Sequence, residues 1–148
     1  MAGRFDQAAT EAANRAEATA LLIRCGFRVY RPEADIDGED LVLRLSNGML
    51  GAAQLKSRIY VDGPRYGGLG LHMLFPIGPF TPAAPRPWFL VPHDPLFLEV
   101  ERRHGGTPKW TGRWHAARPG PGLRDFLAPY QIRPAAEPED ADPDESQG

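Results

Sequence analysis

A turn signal between two runs of apolar residues constrains the fold of this chain more than any other feature. The runs occupy residues 41–45 and 49–60, and Ser46-Asn47-Gly48 separates them. An Asn-Gly pair between such runs is the strongest short-range sign of a β-hairpin, because both residues tolerate the positive φ angles that tight turns require. The sequence therefore predicts an antiparallel pair of strands in the first half of the chain.

The length of this turn decides which side chains share a face of the hairpin. A two-residue turn would place Asp40 opposite Leu55. A three-residue turn, Ser46-Asn47-Gly48 with the glycine left-handed, would place Asp40 opposite Gln54. Since residues two apart on a strand share a face, only the second register puts Asp40 on the same face as Gln54 and Lys56. We predict the three-residue register.

The remaining periodicities predict an α/β or α+β fold. Residues 5–25 contain no Gly or Pro and repeat apolar residues at helical spacing, and Gly26 follows as a helix stop. A short strand with a two-residue period begins at Phe27. Further strands are predicted at residues 71–75, 88–91 and 110–116, and further helices at residues 94–104, with Asp94 as the N-cap, and 121–130. The expected architecture is a mixed β-sheet flanked by helices, opening with a helix, a strand and the hairpin.

Charge divides the chain into two parts. Residues 134–148 hold six of the 19 acidic residues and none of the 17 Lys and Arg residues. Since this proline-rich segment has almost no apolar surface to bury, we predict a disordered acidic tail there. Residues 1–133 are predicted to form a single domain, because their length and apolar content can support one core. Their net charge of +4, from 17 basic and 13 acidic side chains, favours a polyanionic partner, although a surplus this small is common on ordinary surfaces.

The sequence argues against two other classes of protein. Its apolar runs, such as residues 20–23, are far shorter than the roughly 20 residues that cross a bilayer, and no basic flank followed by an apolar run marks a secretory signal. Cys25 is the only cysteine, so neither an intrachain disulfide nor a Cys-x-x-Cys metal site can form. We therefore expect a cytoplasmic protein that does not bind membranes.

Three hairpin residues carry side chains suited to phosphodiester chemistry. Asp40 precedes the first strand, and Gln54 and Lys56 lie two residues apart on the second. Mg²⁺ prefers oxygen ligands, which a carboxylate and an amide can supply. A lysine ammonium beside such a site would stabilise the negative charge that develops at phosphorus. Lys56 is one of only two lysines in the chain, the other being Lys109.

The chain combines a helix that carries glutamates with two motifs on either side of the turn, Asp37-Gly38-Glu39-Asp40-Leu41-Val42 and Gln54-Leu55-Lys56-Ser57. In this order and spacing they resemble the PD-(D/E)xK nuclease superfamily, which includes many restriction endonucleases and Holliday-junction resolvases, over roughly residues 10–60. The resemblance implies a restriction-endonuclease-like core in which a helix packs on a mixed sheet. An acidic residue opens one strand of that core, and an acid-x-Lys triplet lies on the next.

The resemblance further implies an endonuclease that hydrolyses DNA phosphodiester bonds with Mg²⁺ or Mn²⁺. The implied site consists of Asp40, Gln54, Lys56 and a glutamate of the first helix, and the metal ligands are Asp40, Gln54 and that glutamate. Gln54 departs from the commonest pattern, which has Asp or Glu there, and so removes one negative charge from the metal site. For the helix glutamate we favour Glu17, at the edge of the apolar stripe of the helix, over Glu11.

Other interpretations of the same residues stay open. The first motif is also typical of a turn before a strand, and Gln-x-Lys is typical of a solvated strand face. The four histidines show no metal-site spacing and are expected at the surface or at strand ends. The alternative function is a catalytically inactive module of the same fold that binds nucleic acid or a protein partner. A homodimer or a larger assembly is open in either case.

Overall fold

Four α-helices and seven strands form the part of the chain that the computed structural model describes, residues 6–34, 40–45, 47–81 and 85–134. The helices are α1 (Gln7–Arg24), α2 (Gly63–Tyr66), α3 (His93–His104) and α4 (Pro121–Leu127), and a 3₁₀ turn (Ala128–Tyr130) follows α4. The strands are β1 (Arg28–Tyr30), β2 (Leu41–Arg44), β3 (Leu50–Leu55), β4 (Ile59–Asp62), β5 (His72–Pro76), β6 (Trp88–Pro92) and β7 (Arg113–Ala116).

The strands form two sheets. The larger sheet has the order β1-β2-β3-β5-β6, in which β3 and β5 are parallel and the other neighbours antiparallel. The smaller sheet pairs β4 with β7 in antiparallel orientation. The predicted α+β class and its mixed sheet are confirmed. The single run predicted at residues 49–60 is corrected: the three polar residues 56–58 divide it into β3 and β4, which belong to different sheets.

The β2–β3 hairpin has the three-residue register. Leu41 pairs with Ala53. The next residues outward are therefore Asp40 and Gln54, which lie opposite one another. Gly48 has a φ of 84°, a left-handed conformation that residues with a Cβ rarely adopt. The predicted register is thus confirmed, with the glycine in the predicted conformation.

Helix α1 lies within the predicted residues 5–25 and has a clear signal at each end. The Asp6 carboxylate accepts a backbone N–H of the first turn at 2.7 Å, which satisfies one of the N–H groups that a helix start leaves unpaired. Gly26, at a φ of 90°, ends the helix. The buried residues Asn14, Ala18 and Leu22 are spaced by four and form the stripe that faces the sheet.

Helix α3 begins at His93, two residues before Pro95, which a cap at Asp94 would make the first helical residue, so Asp94 is not its N-cap. The N-cap position is occupied by Pro92, which makes no side-chain capping bond. The Asp94 carboxylate instead contacts the His93 ring at 2.9 Å and accepts the Gly68 N–H at 3.0 Å. Asp94 therefore anchors the glycine-rich loop after α2. The short helix α2, which is capped by the Asp62 carboxylate, was not predicted.

Two apolar clusters cover the two faces of the larger sheet. One cluster joins α1 to β2, β3, β5 and β6, and includes the fully buried Trp88. The other packs α3, α4 and the smaller sheet against the opposite face, around Phe75 and Val91. Since both faces are covered, the ends of the strands are where polar side chains can gather.

Several sequence features lie outside the described residues. These are residues 37–39 of the first motif, the first turn residue Ser46, and all of the predicted acidic tail except Pro134. Among the helices that are described, none combines the length and the apolar character needed to cross a membrane.

Candidate functional site

A cleft of about 320 Å³ opens at the end of the larger sheet, where β2 begins and β3 ends. We call it the polar cleft. It is lined by Glu11, Asn14, Arg15, Asp40, Gln54, Leu55, Lys56 and Ser57. Its walls therefore come from three places in the fold: the N-terminal half of α1, the start of β2 and the end of β3. The cleft brings together the three hairpin residues that the sequence analysis selected.

Asp40 is held by the backbone of β3. Its Oδ2 accepts the Leu55 N–H at 2.9 Å. Its own N–H donates to the Ala53 carbonyl oxygen, also at 2.9 Å. A carboxylate bonded to a strand amide cannot rotate freely, so these two bonds orient the Asp40 side chain at the mouth of the hairpin.

Gln54 lines the cleft with a buried amide. The residue is 7% exposed, and its Oε1 has no hydrogen-bond partner within the described part of the chain. An unpaired buried polar atom costs about 1–3 kcal/mol, and such atoms are few in folded proteins. A cation or a water molecule bound in the cleft would supply the missing partner. The Gln54 oxygen is thus chemically suited to be one ligand of a hard cation.

Lys56 directly follows β3. Its backbone N–H donates to the Leu74 carbonyl oxygen at 2.9 Å. Its ammonium lies 4.4 Å from the centre of the Tyr60 ring and 5.6 Å from that of Tyr66. A cation over an aromatic face is attracted by the ring quadrupole. The two tyrosines therefore restrict where the ammonium can lie.

The helix glutamate of the polar cleft is Glu11, which replaces the predicted Glu17. Six residues separate the two glutamates, a rotation of about 240° around a helix with 3.6 residues per turn, so they face different surroundings. Glu17 Oε2 lies 2.9 Å from Arg86 Nη2, and Glu17 Oε1 accepts the Trp88 Nε1–H at 2.8 Å. Glu11 lies on the face of α1 that carries Ala18 and Leu22, two to three turns nearer the N-terminus, and lines the cleft there.

Glu17 belongs to an ion-pair cluster between α1 and the residues that lead into β6. Arg86 is buried and donates to both Glu17 oxygens and to Asn14 Oδ1. Burial raises the pKa of Glu17, but the hydrogen bonds from Arg86 and Trp88 and the Arg86 charge outweigh it and hold that pKa below its ordinary value. Since Asn14 also lines the polar cleft, the cluster positions one of its walls.

A cation of α1, Arg15, also lines the polar cleft and was not predicted from the sequence. Arg15 and Asn14 follow Glu11 by four and three residues, so all three share one face of α1. These polar residues continue the stripe of Ala18 and Leu22 toward the N-terminus of α1, and that change from apolar to polar residues on one face is the sequence signal that could have found them.

His93 is a structural residue. It follows β6 directly, as expected of a strand-end histidine, but it is only 1% exposed. Its Nε2 accepts the Asp62 N–H at 3.1 Å, and its Nδ1 lies 2.9 Å from Asp94 Oδ1. The hydrogen bonds from His93 and from the Gly68 N–H hold the pKa of Asp94 below its ordinary value. The Nε2 atom thus joins α3 to β4, and Nδ1 fixes the ring against Asp94 within α3.

The polar cleft combines oxygen ligands with cations. The Asp40 and Glu11 carboxylates and the Gln54 amide oxygen are hard donors of the kind that Mg²⁺ and Mn²⁺ take. Lys56 and Arg15 are suited to phosphate oxygens. Over the described ranges, no three His, Cys, Asp or Glu side chains come close enough together to hold a metal. No protein-family model and no curated protein matches this chain.

Proposed function

We propose that this protein is a metal-dependent endonuclease that hydrolyses phosphodiester bonds in DNA and acts in the cytoplasm. The observation that carries the proposal is the hairpin register, which puts Asp40 opposite Gln54 and on the same strand face as Lys56. A turn one residue shorter would send Asp40 to the other face. The proposal agrees with the resemblance to the PD-(D/E)xK superfamily, which requires this juxtaposition.

In this proposal the polar cleft holds a divalent cation. Asp40, Glu11 and Gln54 would hold Mg²⁺ or Mn²⁺, with Glu11 in the role that the sequence analysis gave to Glu17. The buried oxygen of Gln54, which no residue in the described ranges bonds, supports this assignment. When bound, such a cation neutralises phosphate charge and lowers the pKa of a bound water molecule.

Lys56 and Arg15 would act on the phosphate of the substrate. The Lys56 ammonium has three N–H groups that can donate to phosphate oxygens as their negative charge increases in the transition state. The planar guanidinium of Arg15 can donate to two oxygens of one phosphate at once. Because Tyr60 and Tyr66 already restrict the Lys56 ammonium, little ordering is needed when the substrate binds.

A cleavage assay with a matched lysine control tests the proposal. Supercoiled plasmid, single-stranded DNA and branched DNA are incubated with the protein and Mg²⁺ or Mn²⁺. The control is Lys109→Ala, since Lys109 is the only other lysine, is exposed and does not line the polar cleft. We expect cleavage by the wild type and by Lys109→Ala, and at least about a 100-fold loss with Lys56→Ala. A wild-type protein that leaves all three substrates intact with either metal would overturn the proposal.

One observation favours a second candidate, a nucleic-acid-binding module without catalysis. Gln54 is a neutral amide where the commonest pattern of the superfamily has a carboxylate, and this lowers the negative charge available to a metal. The second candidate predicts that the wild type binds DNA in a gel-shift assay and cleaves none. Cleavage that appears only in the Gln54→Glu variant would identify the missing charge as the reason.

A further inference from the structure

A second hollow, of about 250 Å³, adjoins the polar cleft. We call it the aromatic hollow. It is lined by Lys56, Ser57, Arg58, Tyr60 and His115. Lys56 and Ser57 line the polar cleft as well, so the two depressions share a rim. A nucleic-acid strand with one phosphate in the polar cleft would therefore have its neighbouring nucleotide at the aromatic hollow.

Tyr60 and His115 place a pair of stacked aromatic rings in this hollow. They are cross-strand partners of β4 and β7, with ring centres 6.1 Å apart and ring planes within 10° of parallel. Cross-strand pairing of this kind holds two rings together without a third element. His115 is exposed, so its ring is accessible to a ligand.

The aromatic hollow is positively charged. Lys56 and Arg58 contribute the cations, and the described lining residues include no carboxylate. Arg58 is exposed and forms no ion pair with any residue that the structure describes. Arg113, two residues before His115 on β7, is by contrast paired with the Asp62 carboxylate at 3.1 Å. The Arg58 charge is therefore available to an anionic ligand.

We propose that the aromatic hollow binds an unpaired nucleotide next to the phosphodiester bond that is cleaved. This inference rests on the proposed function and adds the substrate class. The base stacks on His115, whose ring is backed by Tyr60, and the phosphate pairs with Arg58. A paired base inside a duplex has both faces covered by its neighbours, so only an unpaired or frayed nucleotide can offer a face. The substrate is thus DNA with a single-stranded segment at the cleavage site.

Strand preference can be measured without catalysis. Fluorescence anisotropy would compare a short labelled single-stranded oligonucleotide with a blunt hairpin duplex of the same composition, both in EDTA. We expect the single strand to bind about tenfold more tightly, within the range that one base–aromatic stack provides. Electrostatics alone predicts the opposite order, because the duplex has the higher charge density.

Three variants and a control assign the preference to the hollow. His115→Ala should weaken single-strand binding about tenfold and leave duplex binding unchanged, and His115→Phe, which keeps an aromatic face, should bind as the wild type does. Arg58→Ala should weaken binding and reduce the slope of log affinity against log salt by about 1. The control is Arg24→Ala, an exposed arginine at the far end of α1, which should change neither quantity. Unchanged melting temperatures would show that all variants are folded.

The outcomes separate this inference from the proposed function. Equal affinity for single strand and duplex, or a His115→Ala variant that binds single strands like the wild type, overturns the inference even if the protein cleaves DNA. A protein that binds single strands through His115 but cleaves no substrate overturns the proposed function and leaves the nucleotide site standing.

Discussion

At the scale of single residues, Asp40 and Gln54, the two hairpin residues that we propose as oxygen ligands, differ in charge. Asp40 supplies the charge and is oriented by the Leu55 N–H. Gln54 supplies a buried oxygen that has no partner among the described residues. A hard cation is attracted mainly by a charged ligand, so the loss of Asp40 should weaken metal binding more than the loss of Gln54.

Replacing Asp40 by asparagine separates its charge from its hydrogen bond. Asp40→Asn keeps an oxygen that can accept the Leu55 N–H, so the melting temperature should stay close to that of the wild type. Removal of the charge should weaken Mn²⁺ binding at least about tenfold in a calorimetric titration. Lys56→Ala should bind Mn²⁺ like the wild type, since an ammonium does not coordinate a metal. Unchanged Mn²⁺ affinity in Asp40→Asn would show that Asp40 is not a ligand.

Replacing each helix glutamate by glutamine should change a different property: metal binding for Glu11 and stability for Glu17. Glu11→Gln should weaken Mn²⁺ binding and leave stability unchanged, because Glu11 is exposed and lines the polar cleft. Glu17→Gln should leave Mn²⁺ binding in place and lower the free energy of unfolding by roughly 2 kcal/mol, because buried Arg86 loses a charged acceptor. Calorimetry and urea denaturation measure the two effects. If Glu17→Gln weakened Mn²⁺ binding and Glu11→Gln did not, Glu17 would be the helix ligand.

At the scale of elements, the N-terminal half of α1 and its later turns have different roles. Its N-terminal half presents Glu11 and Arg15 to the polar cleft, and its later turns pack Ala18 and Leu22 against the sheet. Glu17 lies between these regions and ties α1 to Arg86. The position of the cleft wall therefore depends on an ion pair that responds to acid.

The stability of the α1 junction should fall in acid. The pKa of Glu17 is lowered in the folded protein, so its contribution is fully present above the unfolded value of about 4.3 and is lost as the pH falls through the lower folded value. Melting temperatures measured from pH 6 to pH 3 should decline more steeply for the wild type than for Glu17→Gln. Parallel curves for the two proteins would contradict the assignment of this ion pair.

The hairpin turn should be sensitive to any side chain at Gly48. No atom lies within 4 Å of the position that a Cβ would take there, so the cost of Gly48→Ala is conformational and not steric with respect to neighbours. The φ of 84° makes that cost roughly 1 kcal/mol in urea denaturation. Gly48→Asn should lose less, since asparagine tolerates the left-handed region. Equal stability of all three proteins would mean that the turn can rearrange.

At the scale of the whole molecule, charge is distributed unevenly along the chain. Six acidic residues fall within residues 135–148, and residues 1–133 carry a net charge of +4. Under the proposed function, deleting residues 135–148 should raise the affinity for DNA, because it removes six negative charges that would repel the phosphates. The melting temperature should stay unchanged, since this segment has few apolar side chains to pack. A lower melting temperature after deletion would show that the segment contributes to the fold.

The sequence by itself determined those features that depend on a few neighbouring residues. Turn chemistry specifies the conformation of Gly48, and strand alternation then carries the register outward to Asp40 and Gln54. Helical spacing and a terminal glycine likewise predict α1. These rules act over short distances along the chain, which is why the hairpin half of the polar cleft could be predicted.

Only the tertiary structure decided which distant residues meet. Glu17 is directed away from the cleft by Arg86, 69 residues later in the chain, and no local pattern contains that contact. The aromatic hollow similarly depends on β4 leaving the larger sheet to pair with β7, which brings His115 to Tyr60. Periodicity shows that a side chain lies on one face of its element. The angle at which that element packs, which is set by the whole core, decides what that face meets.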